Sequence, residues 1–485
     1  MKLSPYKPQL KSQFLGRKDE LEVLTRIATV EESSIVIVYG RRRVGKTALI
    51  ETAYAKRQLL RFEGLEGRSS IEQIQECLRQ LSIYANDTSI ASLSFKYWRQ
   101  FFEYLSRFVE SGERTLYFEE LQWIADYKDD FAGDLKLVWD KTLRHNKKLI
   151  IVLCGSAPSF MLNKIVRSSP LYNRSQKVLS VKPLPFQVFH TLMGRKRSIV
   201  EVAEAVLTLG TIPEYGMAIR DASSCRIGIA EESFRADGFL FLEYDKIFVS
   251  HLGNRPWYRG VVEFLSRVRF ANRDQIAEHL GTSSGGELSK ILIDLEECGF
   301  IDRYVPFNLS EGTKTARYAI ADPFIRFYNK FIRPVAKRIK EGDFQKQPSA
   351  ALNSAKFTQW LGLSFEAWCR RHTNLIARQL GFSDVEYHSG SYFERGQKLQ
   401  QGFQLDLVFQ RADRVLSVCE IKYTDEAPGT AVAADFQKRI ELLPNKKKFT
   451  IQRVLITKTK PSDSIVKKGV FDRVVMADEL FKIDE

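Results

Sequence analysis

The strongest constraint on this chain lies in residues 35–47. Ile35, Val36, Ile37, Val38 and Tyr39 form a short apolar, β-branched run that passes directly into Gly40, Arg41, Arg42, Arg43, Val44, Gly45, Lys46 and Thr47. A buried strand, then G-x-x-x-x-G-K-[ST], then a helix is the arrangement in which backbone N–H groups wrap a chain of phosphates. The glycines let the backbone turn around the anion, and the helix N-terminus adds positive potential. Lys46 is expected to reach the β- and γ-phosphates and Thr47 to hold Mg2+, so Gly40 to Thr47 with Ala48 behind them is the predicted ATP site. Arg41, Arg42 and Arg43 either add anion affinity or form a solvated run in the loop.

Two further apolar runs fit the same parallel sheet. Leu116, Tyr117 and Phe118 end in Glu119 and Glu120, where such a sheet places the Mg2+-directed carboxylate and the residue that orients water. Residues 149–154 end in Gly155 and Ser156. Ser156 is either a γ-phosphate sensor or a turn serine. Arg174 either neutralises transition-state charge or is a surface arginine.

The chain has 485 residues, room for about three domains. No stretch approaches the ~18 apolar residues of a membrane span, and the N-terminus has no signal-peptide core. Six scattered cysteines without a C-x-x-C pair read as free thiols in a reducing cytoplasm. A net charge of +15 favours a polyanionic partner or reflects a basic, inert surface. The predicted architecture is α/β, with a P-loop parallel-sheet domain and helical lid at 1–250. A winged-helix domain with a basic helix follows at 255–340, a linker at 341–356, and a C-terminal α/β domain at 357–485.

The middle region supplies helices near 258–268, 272–280 and 287–298 and two strands near 300–305 and 317–320, the layout of a winged helix. Its third helix carries Glu287, Asp294, Glu296 and Glu297 against Lys290, which suits docking better than reading a major groove. Arg326, Lys330, Arg333, Lys337 and Lys340 recur at helical spacing, with Pro334 as a break. They form either a DNA-contacting stripe or a solvated face.

In the C-terminal region, residues 403–409 and 415–422 alternate as two strands around a turn near Asp413. That register sets Asp406 opposite Glu420, with Lys422 on the same face as Glu420. Facing carboxylates are destabilising unless a divalent cation sits between them. Glu366, on a helix predicted over 364–380, is a further carboxylate. Lys422 is placed to orient the attacking water or stabilise phosphate charge. The D-x-K strings at Asp126 to Lys128 and Asp134 to Lys136 lack this hairpin context.

Phe14-Leu15-Gly16-Arg17, Gly40 to Thr47, Glu119 to Trp123, Leu153 to Ser156 and Leu171-Tyr172-Asn173-Arg174 together resemble the archaeal-type P-loop ATPases, relatives of the AAA+ and signal-transduction ATPases. The resemblance continues to Tyr215. It implies that 14–17 pack near the adenine, that Ser156 is a sensor, and that Arg174 is an arginine finger or sensor. Glu119 departs from the usual Asp, which predicts slow hydrolysis. The C-terminal set resembles the PD-(D/E)XK restriction-endonuclease-like fold without the motif's proline, which implies Asp406 and Glu420 as metal ligands and Asp406, Glu420 and Lys422 as the cleavage set. Two functions follow. One is an ATP- and Mg2+-dependent protein that controls a metal-dependent nuclease acting on nucleic acid, DNA favoured, in defence or mobile-element control, alone or as a homo-oligomer. The other is a nucleotide switch or scaffold that binds DNA or a protein without cleavage.

Overall fold

The structure, a computed structural model, describes residues 6, 14–125, 131–167, 170–171, 174–194, 196–252, 256–309, 312, 315–394 and 402–483. Tyr172 and Asn173 of the 171–174 motif lie outside the described residues, as does the D-x-K string at 126–128. Cα packing divides the chain into two compact units: residues 1–184 with 246–254, and residues 185–245 with 255–485.

The first unit is built on five parallel strands, β1 (Ser34–Tyr39), β2 (Gln58–Glu63), β3 (Arg114–Glu119), β4 (Leu149–Gly155) and β5 (Ser175–Ser180), in the order β2-β3-β4-β1-β5. Strand alternation explains its continuous apolar runs. Ile35, Ile37, Leu116 and Phe118 face one buried layer, while Val36, Val38, Tyr117 and Val152 face the other. A sheet covered on both faces needs apolar residues at every position, not every second one. Helices α1 (Lys18–Thr29), α2 (Lys46–Ala53), α3 (Ser70–Ala85), α4 (Trp98–Ser106), α5 (Leu121–Ile124) and α6 (Phe131–Lys141) accompany the sheet. Phe102, on α4, packs edge-on to Phe118 at 6.0 Å and to Phe131 at 5.2 Å, so β3 is pinned directly behind Glu119 and Glu120. The string at Asp134 to Lys136 lies within α6 and belongs to no hairpin.

In the second unit, helices Pro256–Arg267, Arg273–Leu280 and Gly286–Glu297 precede a three-stranded antiparallel sheet. Its strands are β6 (Ala271–Asn272), β7 (Ile301–Tyr304) and β8 (Arg317–Ile320), with β8 in the centre. Asn272 caps the second helix by accepting from Gln275 N at 2.9 Å. The two-residue β6 is too short for any periodicity to reveal. Asp294 on the third helix is buried and accepts a 2.5 Å hydrogen bond from Tyr258 OH, so it is a packing residue and not part of an acidic surface.

The basic stripe is corrected by the structure. Pro323–Phe327 is α-helical, Tyr328–Ile332 is a π turn, Arg333–Val335 is a 3-10 turn and Ala336–Lys340 is a separate helical turn, so the stripe does not share one continuous face. Arg333 is paired with Glu263 at 2.6 Å. The stretch assigned to a linker is packed: Phe344 and Leu352 are buried, and a helix starts at Ser354. The helix expected at 364–380 is two helices, Ser354–Arg371 and Thr373–Leu380, separated at His372.

The C-terminal sheet has the order β13-β12-β11-β10-β9, with β9 (Tyr387–Glu394), β10 (Phe403–Arg411), β11 (Val415–Lys422), β12 (Thr450–Thr457) and β13 (Arg473–Met476). β9, β10 and β11 are antiparallel. β11 to β12 is a parallel crossover through the helix Thr430–Glu441. The six cysteines are buried and free. Among the described residues, no helix is long and apolar enough to cross a membrane.

Candidate functional site

The phosphate loop leaves β1 through Gly40. A Cβ on Gly40 would sit 2.2 Å from the Val181 carbonyl oxygen, so only glycine lets the loop start against that neighbouring backbone. Gly45 has φ +92°, a left-handed turn that aims the following amides at the loop's centre, and α2 begins at Lys46. Lys46 Nζ donates to the carbonyls of Gly40 at 3.0 Å and Arg41 at 3.1 Å, which holds the ammonium folded over the loop. Arg17, upstream of α1, is buried and donates to the Val44 carbonyl at 3.0 Å, so the 14–17 segment is tied to the same loop.

Glu119 ends β3 as a buried side chain. Its Oε1 accepts a hydrogen bond from Thr47 Oγ1, and its Oε2 lies 2.5 Å from Arg61 Nη2 on β2. Burial opposes the charge on Arg61, but Glu119 and Glu63 more than offset it and hold its pKa above the ordinary value. Hydroxyl, carboxylate and ordered loop are the donor set that a phosphate-bound Mg2+ requires, so these residues fit Mg2+-ATP.

Glu120 adopts a left-handed backbone, φ 51° and ψ 51°, which is uncommon for a residue with a Cβ. This turn directs its side chain toward β4. Ser156 Oγ donates to Glu120 Oε2 at 2.6 Å, Gln122 Nε2 donates to the same oxygen at 2.6 Å, and Ser156 N donates to Gln122 Oε1 at 3.2 Å. Glu120, Gln122 and Ser156 form one closed network between two strand tips. Arg174 is elsewhere: its guanidinium grips Asp140 on α6 through Nε at 2.9 Å and Nη2 at 2.7 Å. The Arg174 hydrogen bond holds the Asp140 carboxyl below its ordinary pKa.

In the C-terminal sheet, the β10–β11 register pairs Leu407 with Cys419 and, one step on, sets Asp406 opposite Glu420. β9 pairing with β10 shifts between Leu405 and Val408, a bulge that flanks Asp406. Both carboxylates are buried. Asp406 accepts from Ile421 N at 3.0 Å. Burial, then Glu420 and Glu366, push its pKa up to about 7. Glu420 is asymmetric. Its Oε1 faces Lys422 Nζ at 2.7 Å and Arg439 Nη2 at 2.9 Å, whereas its buried Oε2 has no hydrogen-bond partner. Burial works against the Lys422 charge, but Glu420 raises its pKa overall. Two buried carboxylates with one oxygen unpartnered are a donor set that fits a divalent cation. Glu366 is within electrostatic reach of Asp406 but engaged by Arg269 at 2.7 Å and Arg370 at 3.8 Å. Among the described residues, no three His, Cys, Asp or Glu side chains are arranged around a common metal position.

Residues 14–215 match the model of an ATPase domain found predominantly in Archaea. That segment is an archaeal-type ATPase domain. An uncharacterized protein of Methanocaldococcus jannaschii is 27% identical over 417 residues, 85% of this chain and 88% of that one. An uncharacterized ATP-binding protein of the same organism is 44% identical over 48 residues, 10% of this chain and 81% of that protein. A solved Walker-type ATPase of Pyrococcus abyssi is 19% identical and covers 68% of this chain and 99% of its own, with a TM-score of 0.47.

Sequence reasoning overlooked four participants in these two clusters. Arg61 sits mid-strand with no motif around it. Gln122 is in the quoted 119–123 string, but only the fold brings its amide to Ser156. Arg439 sits on the helix Thr430–Glu441 with no motif around it, and Arg269 lies about a hundred residues from its partner Glu366.

Proposed function

We propose that this ATPase binds and hydrolyses Mg2+-ATP at Gly40 to Ala48 and uses its nucleotide state to control metal-dependent cleavage of nucleic acid, DNA favoured, at Asp406, Glu420 and Lys422. In this reading Thr47 and Glu119 hold the Mg2+, Glu120 orients water, and Ser156 senses the γ-phosphate through Glu120. Residues 255–340 act as a winged helix and 357–485 as a restriction-endonuclease-like domain. Arg174, held by Asp140, would act on nucleotide only after that ion pair opens.

The observation that carries the cleavage reading is Glu420: one oxygen is saturated by two cations, and the other is buried and without a hydrogen-bond partner. A divalent cation, when bound, stabilises charge on the phosphate and activates water. Asp406 and Glu420 hold that cation, while Lys422 meets the charge that grows on the phosphate. The ion pairs of Glu366 with Arg269 and of Glu420 with Arg439 favour the second reading, a switch or scaffold in which arginines take the place of metal.

The test incubates the full chain with single- and double-stranded DNA and RNA, with Mg2+ or Mn2+, with and without ATP. Cleavage lost in Asp406→Ala and Lys422→Ala supports the nuclease reading. Cleavage that persists in either variant refutes the assignment, and binding without cleavage in every arm supports the scaffold. Calorimetric ATP binding that Lys46→Ala abolishes supports the nucleotide site, and equal affinity overturns it.

A further inference from the structure

A separate cavity of about 260 Å³ opens within the second unit. Its walls come from the end of Pro256–Arg267 and the residues after it, from β8, from Arg326 and Lys330, and from Ser354–Arg371. Its cations are Arg267, Arg269, Arg326, Lys330 and Arg370, and no lining residue is acidic. Glu366 answers Arg269 and Arg370 from outside the lining. Among the described residues Arg267, Arg326 and Lys330 form no salt bridge, although Glu366 and Asp302 act on Arg326 from a distance.

Arg326 is the centre of the case. It is half-buried, and its guanidinium lies 5.8 Å from the ring of the buried Trp360. Burial, then Arg371 and Arg370, push its pKa down to about 9. A guanidinium stays protonated under such pressure, so Arg326 is a buried cation whose arginine neighbours are only partly offset by Glu366 and Asp302. An anion in the cavity completes that offset.

The shape narrows the anion. Guanidinium forks match phosphate oxygens two at a time, and a dianionic phosphate answers several cations at once. Trp360, Leu363 and Ile320 give the cavity an apolar wall for the organic part of a phosphate ester, while the Trp360 ring itself is stacked on Phe357 with Arg326 over it. The volume is slightly below the ~300 Å³ at which drug-sized pockets begin, so it admits a single phosphorylated unit and excludes a duplex.

We propose that this cavity binds a phosphate monoester of nucleotide size, with the phosphate among Arg267, Arg326 and Lys330 and its organic part against the apolar wall of Ile320, Leu363 and Trp360. The ligand is either a free mononucleotide or the 5′-phosphorylated end of a single strand. The site uses none of the phosphate-loop residues and needs no metal, so it stands or falls independently of ATP hydrolysis and of cleavage at Asp406.

The experiment is run in chelator, which stops any cleavage. Fluorescence polarisation compares one single-stranded oligonucleotide carrying a 5′-phosphate or a 5′-hydroxyl, and calorimetry follows AMP. The expected result is a preference for the 5′-phosphate, or measurable AMP binding, that falls roughly tenfold or more in Arg326→Gln and in Lys330→Gln. The arm that responds names the source. Mg2+-ATP binding, measured separately, is unchanged in both variants and reports that they are folded. Lys330 is exposed, so its variant serves even where Arg326→Gln does not fold. Equal affinity for both 5′ ends together with no AMP binding overturns the proposal. So does a preference, or AMP binding, that is undiminished in a folded variant.

Discussion

Ser156 Oγ donates a 2.6 Å hydrogen bond to Glu120 Oε2, joining the tip of β4 to the residue that follows β3. Gln122 donates to the same oxygen, so Glu120 is fixed from two sides. A carboxylate that must orient water at one point gains from such fixing. Ser156→Ala is expected to lower ATP turnover roughly 100-fold with little change in ATP affinity, read by steady-state hydrolysis and calorimetry. Loss of affinity with turnover per bound ATP intact would contradict this role.

Glu119 reaches Thr47 directly because glutamate is one methylene longer than aspartate. The hydroxyl and carboxylate therefore meet at the position proposed for Mg2+. Glu119→Asp is expected to raise turnover about tenfold, equivalent to about 1.4 kcal/mol of barrier. Unchanged or lower turnover refutes the geometric argument. Arg61→Leu, which strips Glu119 of its cation, is expected to cost up to about 3 kcal/mol in urea denaturation.

Asp406 gives a pH dependence with a definite sign. Its folded pKa is pushed up to about 7, while an unfolded aspartate titrates near 4. Between those values the folded chain holds a proton that the unfolded chain has released. The Asp406 contribution to metal-free stability therefore falls as pH rises from about 4 to about 7 and is level above. Denaturation curves in chelator should show this slope in the wild type and lose it in Asp406→Asn. The same slope in both chains contradicts it.

Lys337 and Lys340 are exposed, whereas Arg326 is half-buried and Arg333 is paired with Glu263. Nucleic-acid binding should weaken steeply with salt, and Lys337→Glu with Lys340→Glu should weaken it alike for all sequences, because phosphate contacts carry no base information. A flat salt response, or a loss confined to one sequence, counts against this surface.

Much of this was legible in the chain because it is local. The 35–47 segment specifies strand, loop and helix through contiguous residues, and hairpin arithmetic around Asp413 sets Asp406 opposite Glu420. What escaped reading is what depends on tertiary partners. Arg326 to Lys340 has helical spacing, yet π and 3-10 turns redistribute its cations, and Arg326 turns into a cavity. Arg61 and Arg439 sit in ordinary strand and helix contexts, and only folding brings them to Glu119 and Glu420. Glu366, offered by the sequence as a further carboxylate for the cation, acts on Asp406 electrostatically, but its capture by Arg269 joins residues 97 apart and leaves no trace in spacing.

The claim that Asp406 and Glu420 form a cation site is tested most directly by titrating Mn2+ into the nucleotide-free chain by calorimetry. The account predicts one Mn2+ bound in the wild type, with binding strengthening as pH rises through about 7, and its loss in Asp406→Ala. No binding in the wild type, or the same binding in Asp406→Ala, would contradict it.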